Sequence, residues 1–419
     1  MEKRRVVITG MGVVAPNGTG IDNFWDSLVH GHSGIRKITH FDASSYPCQV
    51  AAEVPDFNPT DYMDHKTSKR LSRFAQFALA SARMAVRDSG INFDQEDRYK
   101  IGVFVGTAIG GLDIFEIQHS IFLEKGIKRI NPYSAVSCST HSASAIIACE
   151  FNAKGINTTI SAGCNTGLDT TYLAFNSIRL ADADVILVSA GEAPLTPLIH
   201  GIFCATGYMS RVNGEPKKAV KPYDLNADGM VLGEGGACII IEELEHALRR
   251  NAKIYGEIVS YSALNEAFDL MEVDNDDKTM VLNFKQVLEK GHIDIREIDY
   301  INAHGNGIIS YDIIETNAIK RVFCELAYNI PVTSIKPVTG HSIGPTPVWQ
   351  IITSLLAMKH NIIPPTINIQ DAAPGCDLNY VPNHFIEKSI RTGLVNVHGF
   401  GGRLTALALR KFSTVNTVS

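Results

Sequence analysis

The stretch Thr158-Thr159-Ile160-Ser161-Ala162-Gly163-Cys164-Asn165-Thr166-Gly167 changes character from a β-branched run to small residues, and from Leu168 onward the pattern is helical. A strand, a tight turn and a helix in immediate succession is the building unit of an α/β fold, and Gly163 and Gly167 give the turn its backbone freedom. Cys164 then falls at a helix N-terminus, where the partial positive charge favours thiolate over thiol. A thiolate can accept an acyl group from a thioester. The alternative for any cysteine is a buried, inert thiol. That is the expected state of Cys48, Cys138, Cys149, Cys204, Cys238, Cys324 and Cys376, since no Cys-x-x-Cys pair occurs and the chain is far longer than a disulfide scaffold. A reducing cytoplasm is the compartment this cysteine usage implies.

Working outward from that unit, strand-like runs cover 5–9, 101–106, 158–162, 185–190, 237–242 and 254–260, with helical patterns at 21–29, 69–88, 168–180 and 244–251. A second series follows: helix 280–290, strand 298–303, helix 312–328, strand 331–335, helix 349–360, then strands 395–398 and 404–409. No low-complexity linker divides the two series, so a soft boundary separates interlocked halves 1–253, with the nucleophile, and 254–419, with two candidate histidines. The loops 44–60, 126–133 and 363–382 are rich in proline and are expected outside the core.

A chain of 419 residues is too long for one small core. Its hydrophobic content of 45% and charged content of 20% are those of an ordinary globular enzyme, and a net charge of −6 argues against nucleic-acid binding. No apolar run approaches the ~20 residues that span a bilayer. The opening Met-Glu-Lys-Arg-Arg-Val-Val-Ile-Thr-Gly has a signal-peptide flavour, but Gly10 and Gly12 interrupt its short apolar run. A first strand is the better reading.

His304 lies in Ile301-Asn302-Ala303-His304-Gly305-Asn306-Gly307, at the end of a buried run. Lys336 and His341 share Ser334-Ile335-Lys336-Pro337-Val338-Thr339-Gly340-His341-Ser342-Ile343-Gly344. Two neutral imidazoles donating N–H can hold a thioester oxygen and stabilise the enolate formed when a β-carboxylate leaves. Zinc is the competing reading of Cys and His together, and it fails because no paired-ligand spacing occurs, so no metal is expected. Asp312 and Glu315, spaced i,i+3 at a helix start, are either a capping pair or the nearest acidic partners of Lys336.

Taken in order, these segments resemble the β-ketoacyl-acyl carrier protein synthases of the thiolase superfamily, both fatty-acid elongating and type II polyketide ketosynthases. The likeness runs nearly end to end. It covers Arg-Val-Val-Ile-Thr-Gly-Met-Gly-Val-Val-Ala-Pro at 5–16, Gly-Thr-Ala-Ile-Gly-Gly at 106–111 and Ala-Asp-Val-Ile-Leu-Val-Ser-Ala-Gly-Glu-Ala at 183–193. It continues through Asp-Gly-Met-Val-Leu-Gly-Glu-Gly-Gly at 228–236, the two histidine motifs, Ile-Ile-Pro-Pro-Thr-Ile-Asn at 362–368 and Gly-Phe-Gly-Gly at 399–402. The resemblance implies a thiolase-like fold of duplicated α-β-α-β-α layered halves, assembled as a homodimer or a heterodimer with another ketosynthase-like subunit. It makes Cys164 the acylated nucleophile, His304 and His341 the pair that drives malonyl decarboxylation, and Lys336 the lysine that organises them. Phe400 becomes the gate to the acyl pocket, and the backbone N–H groups of Cys164 and Phe400 the oxyanion hole. No cofactor is implied beyond the phosphopantetheine arm of an acyl carrier protein. Lys66, Lys69 and Arg70 fall where the family docks that acidic partner, though a solvated charge run reads the same way.

The departures concentrate around the site. His398 stands where elongating members have a second Phe, Asn306 and Ile308 replace two pantetheine-contacting threonines, and Gln350 replaces the glutamate that pairs with the lysine. Without that anion Lys336 is left to Glu315 or Asp312. Arg403-Leu404 follows the Gly-Gly pair in place of Thr-Asn, Ala267-Phe268-Asp269-Leu270 replaces the usual substrate loop, and Trp349 is placed to narrow a cavity. The leading functional expectation is decarboxylative Claisen condensation of malonyl-carrier with an acyl thioester. The alternatives are a malonyl-carrier decarboxylase and a non-catalytic partner of the chain-length-factor kind, the last weakened by an intact Cys164.

Overall fold

The computed structural model describes residues 4–413. Its frame is ten strands: β1 (Val6–Ala15), β2 (Ile101–Gly106), β3 (Asn157–Ile160), β4 (Val185–Glu192), β5 (Gly235–Glu243), β6 (Gly256–Asn265), β7 (Tyr300–Asn302), β8 (Val332–Thr333), β9 (Thr392–Gly399) and β10 (Arg403–Arg410). They lie in the order β8-β7-β9-β10-β6-β1-β5-β4-β2-β3. Within the first five the order is β3-β2-β4-β5-β1, and within the second five it is β8-β7-β9-β10-β6, the same winding displaced by five strands. Directions repeat as well: β2 is parallel to β3 and β4, while β5 runs antiparallel to β4 and β1. In the same way β7 is parallel to β8 and β9, while β10 runs antiparallel to β9 and β6. The half-sheets meet where β1 pairs antiparallel with β6, Val6 opposite Ile258.

Seven helices matter for position: α1 (Arg73–Ser89), α2 (Leu112–Lys125), α3 (Ser142–Phe151), α4 (Thr166–Arg179), α5 (Lys278–Gly291), α6 (Ile309–Phe323) and α7 (Pro345–His360). The two-residue period of the strands distributes the core among them. Val103, Val105 and Leu187 share one cluster with α1 and α3, whereas Phe104, Ile186 and Val188 share another with Leu168 of α4 and Ile351 and Leu355 of α7. From the other half-sheet Val395, Val397 and Leu407 reach the same central cluster, while Leu394, Ala406 and Ala408 pack outward with α5 and α6. The result is five layers with α4 and α7 in the middle. Both sheet faces are covered, which is why the strands read as continuous apolar runs rather than alternating ones. Gly10 and Gly12 let α1 settle onto β1, since a Cβ at either would run into the backbone of Ala85 or Ser81.

The structure departs from the sequence reading in places. β3 ends at Ile160, leaving Ser161 and Ala162 in the turn, β8 is only Val332–Thr333, and α6 stops at Phe323, where Cys324 takes a positive φ. The loops 44–60 and 363–382 are not outside the core. Cys48, Val50, Ala51, Cys376 and Tyr380 are buried, because backbone bonds such as Ala52 N–H to Leu232 O and Val332 N–H to Asn379 O draw these segments in. Helices α2 and α3 were not expected. No residue of α2 is buried, so it lacks the one-sided apolar stripe by which a helix is recognised.

Candidate active site

The turn after β3 is held from three sides. Ala162 takes φ −148°, and Gly163 takes φ +56°, a left-handed conformation suited to glycine. Thr166 Oγ1 accepts the Ala162 N–H at 2.8 Å and donates to Gly163 O at 2.7 Å. Asn165 Nδ2 reaches across to the second half-sheet, donating to Val397 O at 3.0 Å and to Thr405 Oγ1 at 2.9 Å. Helix α4 then crosses α7 closely, since a Cβ on Gly167 would sit 2.6 Å from Gly344 O. Cys164 is half-buried in this turn, with the N–H groups of Phe400 and of Cys164 itself directed at its sulfur. Burial pushes the thiol pKa up, and the Lys336 charge and the two N–H groups do not offset it, while the Glu192 carboxylate adds to the rise. The resting group is therefore a thiol. The helix terminus alone does not make the thiolate that its sequence position suggests, because desolvation is the larger effect.

His304 follows β7 and His341 follows the short helix Lys336–Thr339 after β8. Their rings stand 5.8 Å apart, nearly perpendicular at 84°. Burial first, and the neighbouring Lys336 charge second, hold both imidazoles well below the usual histidine range, so both are neutral. Ser342 N–H donates to Thr346 Oγ1 at 2.9 Å, and that oxygen lies 3.4 Å from His341 Nδ1. His341 Nε2 is buried with no protein partner. Such an atom is costly to leave unpaired unless a ligand supplies the partner.

Lys336 is fully buried, and its ammonium donates to the carbonyl of His304 and sits 3.5 Å from His304 Nδ1. Among the described residues it makes no ion pair with Glu315 or Asp312, because those carboxylates are taken. Glu315 accepts the N–H groups of His304 (2.7 Å) and Gly305 (3.0 Å), the Tyr223 hydroxyl (2.8 Å) and Asn396 Nδ2 (2.5 Å). Asp312 accepts from Tyr223 N–H at 3.0 Å and Asn306 N–H at 3.2 Å, and burial pushes its carboxyl up to about 7. Desolvation pushes Lys336 down to about 8. Gln350 spends its amide on backbone oxygens instead, donating to Ala303 O at 2.8 Å and Asn302 O at 3.2 Å.

The assembled residues are a thiol facing two backbone N–H groups, two neutral buried imidazoles and a buried lysine. Comparison with known proteins gives the family of the chain. Residues 3–247 match the family profile described as beta-ketoacyl synthase, N-terminal domain, and residues 255–370 match beta-ketoacyl synthase, C-terminal domain. The chain belongs to the β-ketoacyl synthase family. It is 40% identical to a 3-oxoacyl-[acyl-carrier-protein] synthase 2 of Coxiella burnetii (strain RSA 493 / Nine Mile phase I), over 98% of this chain and 99% of that one. Among solved structures it superimposes with a TM-score of 0.91 on a type II polyketide synthase acyl-carrier protein in complex with its ketosynthase bound to the hexaketide, at 32% identity over 98% of this chain and 100% of that one. The ishigamide ketosynthase/chain length factor gives a TM-score of 0.91 at 30% identity, over 98% and 100% of the two chains. The synthase is thus an acyltransferase of the ketosynthase type with a thiolase-like fold.

Around the thiol, the synthase clasps Phe400 between Tyr208 and Tyr311, with ring centroids at 5.6 and 6.2 Å. Tyr311 also lies 4.6 Å from the ring of His398, which is buried with Nε2 3.1 Å from Glu266 Oε1. Asn396, His398 and Phe400 share one face of β9 and its exit, a period of two that was open to reading in the sequence. Tyr311, Tyr208, Glu266 and Glu192 were missed, for they carry no motif of their own and gain meaning only from packing. Asn306 is buried beside His304, and Ile308 turns into the apolar core at the start of α6. Trp349 does not narrow a substrate cavity; it is buried against Phe24 and Gly235, donating its indole N–H to Gly236 O at 3.1 Å. Lys66 and Lys69 are exposed, and Arg70 donates to Tyr133 Oη at 2.7 Å with its guanidinium over that ring.

Proposed function

We propose that this synthase joins malonyl-carrier to an acyl thioester by decarboxylative Claisen condensation, in fatty-acid or polyketide synthesis. The observation that carries the reading is a buried, unpartnered His341 Nε2 beside His304, with Lys336 against the His304 ring and close enough to Cys164 for its charge to act on the thiol. Cys164 attacks the acyl carbonyl, the N–H groups of Phe400 and Cys164 hold the developing oxyanion, and the proton of the thiol leaves with the pantetheine sulfur. Malonyl-carrier then loses carbon dioxide, and the electron pair of the broken bond becomes an enolate whose oxygen is held by imidazole N–H. That carbanion attacks the acyl-Cys164 carbonyl and expels the thiolate, which takes up a proton, giving β-ketoacyl-carrier. Acyl carrier protein is the partner on this reading, its phosphopantetheine arm bringing the substrate, with no resident metal or organic cofactor and a cytoplasmic setting. No described helix is long and apolar enough to cross a membrane.

The second subunit of the proposed dimer, identical or ketosynthase-like, is assigned to the sheet edge that β3 leaves unpaired among the described residues, with the exposed Phe115, Ile117, Phe122 and Leu123 of α2 as a further apolar surface for it. A malonyl-carrier decarboxylase is the second reading, favoured by the raised Cys164 thiol, which slows acyl loading without touching decarboxylation. Incubation with malonyl-carrier, with and without acyl-carrier, followed by intact mass spectrometry separates the two. β-Ketoacyl-carrier is expected; acetyl-carrier alone, unaffected by Cys164→Ala, would overturn condensation. Product formed only after a second subunit is added would favour the chain-length-factor role instead.

A further inference from the structure

Asn306 sits two residues beyond His304, and both side chains are buried. The backbone N–H of Ile308 donates to Asn306 Oδ1 at 2.9 Å, which fixes the end of the amide that is oxygen. The other end, Nδ2, lies 3.1 Å from His304 Nε2. An amide nitrogen has only hydrogens to offer, so Nε2 must accept, and a neutral imidazole whose Nε2 accepts carries its proton on Nδ1. His341 has the opposite surroundings. Its Nδ1 faces the Thr346 hydroxyl, whose oxygen already accepts the Ser342 N–H and whose hydrogen is free to turn to the ring, and its Nε2 has no protein partner.

We infer that Asn306 holds His304 in the Nδ1–H tautomer, so that of the two imidazoles His341 is the one that donates N–H to the malonyl thioester oxygen. The inference rests on the ketosynthase reading for its consequence, although the tautomer itself does not. Lys336 is the only competitor for the His304 ring among the described residues, and at 3.5 Å from Nδ1 its ring contact is the longer one, its hydrogen bond going to the His304 carbonyl. Asn306 is therefore a positioning residue, acting on His304 and through it on how many N–H groups meet the enolate.

The test reads the tautomer directly by 15N nuclear magnetic resonance of enzyme labelled in its histidine rings, with the His304 signals assigned by their loss in His304→Gln. Protonated Nδ1 and unprotonated Nε2 are expected at His304, and Asn306→Thr should move the proton to Nε2. Asn306→Asp, which offers an acceptor in place of the donor, should move it too and covers the case where the threonine variant does not fold. A His304 Nε2–H signal in the unaltered protein, or a tautomer indifferent to both variants, overturns the assignment. Malonyl-carrier decarboxylation gives the second arm. His341→Ala should cost about 100-fold or more, the size of a lost oxyanion donor, and His304→Ala about 10-fold or less; equal losses overturn the single-donor reading. Because the tautomer is read without substrate, a protein that makes no carrier product tells against the ketosynthase reading alone.

Discussion

In the first half the third strand, β3, runs out through Ser161 and Ala162 into the Cys164 turn and α4; in the second half the third strand, β8, runs out through Ser334 and Ile335 into Lys336, His341 and α7. The second strands correspond as well. After β2 the segment 107–109 is caught by the buried Glu192, which accepts from Thr107 Oγ1 at 2.9 Å and from the N–H groups of Ala108 and Ile109 at 2.8 and 3.0 Å. After β7 the segment 303–306 is caught by the buried Glu315 through His304 and Gly305 N–H. One frame is thus used twice, a carboxylate clamping the loop after the second strand and a helix launched after the third. What differs is the cargo. The first half presents a single nucleophile and keeps its edge strand half-exposed, whereas the second presents three nitrogen bases, all buried. Since α4 and α7 cross at Gly167 and Gly344, equivalent loops are brought face to face, and division of labour between them is what duplication allows.

The comparison breaks most sharply at its two cargoes. Cys164→Ala should abolish the acyl adduct seen by intact mass while leaving acetyl-carrier formation from malonyl-carrier in place. His341→Ala should do the reverse, slowing decarboxylation by about 100-fold or more while the acyl adduct still forms. A stable acyl adduct on Cys164→Ala would remove Cys164 as nucleophile, and unchanged acetyl-carrier formation by His341→Ala would remove His341 from the enolate step.

Much of this division was legible in the sequence because it is written in local pattern. The strand-turn-helix around Cys164 and the Gly-flanked histidines at strand ends predict where the side chains emerge, and the alternation of strands and helices predicts the layers. The electrostatics were not legible in the same way. Position at a helix terminus suggested a thiolate, but the pKa depends on how deeply the turn is enclosed, which is a property of β9 and the Phe400 loop more than 200 residues away. The partners of Lys336 were equally hidden. Asp312 and Glu315 stand at the right helix start, yet Tyr223, Asn396 and the loop N–H groups use up their lone pairs. Those donors come from three separate segments, which no spacing rule connects. Trp349 failed for a related reason, since a helix position gives no indication of which layer a side chain enters in a central helix buried on all sides.

Lys336 gives the next effect in size. Burial without a carboxylate partner pushes its ammonium down to about 8 from 10.5. Below pH 8 native and unfolded chains are both protonated there and the native state bears the desolvation cost. Between about 8 and 10.5 the unfolded chain holds the extra proton, so this group makes stability rise with pH across that window. Activity should move the other way, falling as pH passes about 8, because the Lys336 charge that lowers the Cys164 thiol is lost. Gln350→Glu sharpens the contrast between the halves. An added carboxylate favours the ammonium form and should carry the alkaline limb of the pH–rate profile upward by about one unit. The same change removes the amide bonds to Ala303 and Asn302, so melting temperature should fall while the limb rises. A limb that stays in place means that another group titrates.

The smallest effect tests the outer surface of the first half, where Lys66 and Lys69 are exposed on and beside the short helix His65–Ser68. If an acidic carrier docks there, Lys66→Glu with Lys69→Glu should raise KM for malonyl-carrier about three- to tenfold at low salt and leave kcat unchanged, since neither side chain enters the site. Exposed charges act through a screened field, so the effect should shrink toward unity as ionic strength rises past about 0.15 M. Arg70 behaves differently because it is committed within the chain, to Tyr133 Oη by its side chain and to Ser137 Oγ by its carbonyl. Arg70→Ala should therefore loosen the 133–137 segment and change KM with little dependence on salt. A lysine pair whose reversal alters KM equally at low and high salt is a solvated face, and the contrast between a surface built for partners and a core built for chemistry would then rest on α2 and β3 alone.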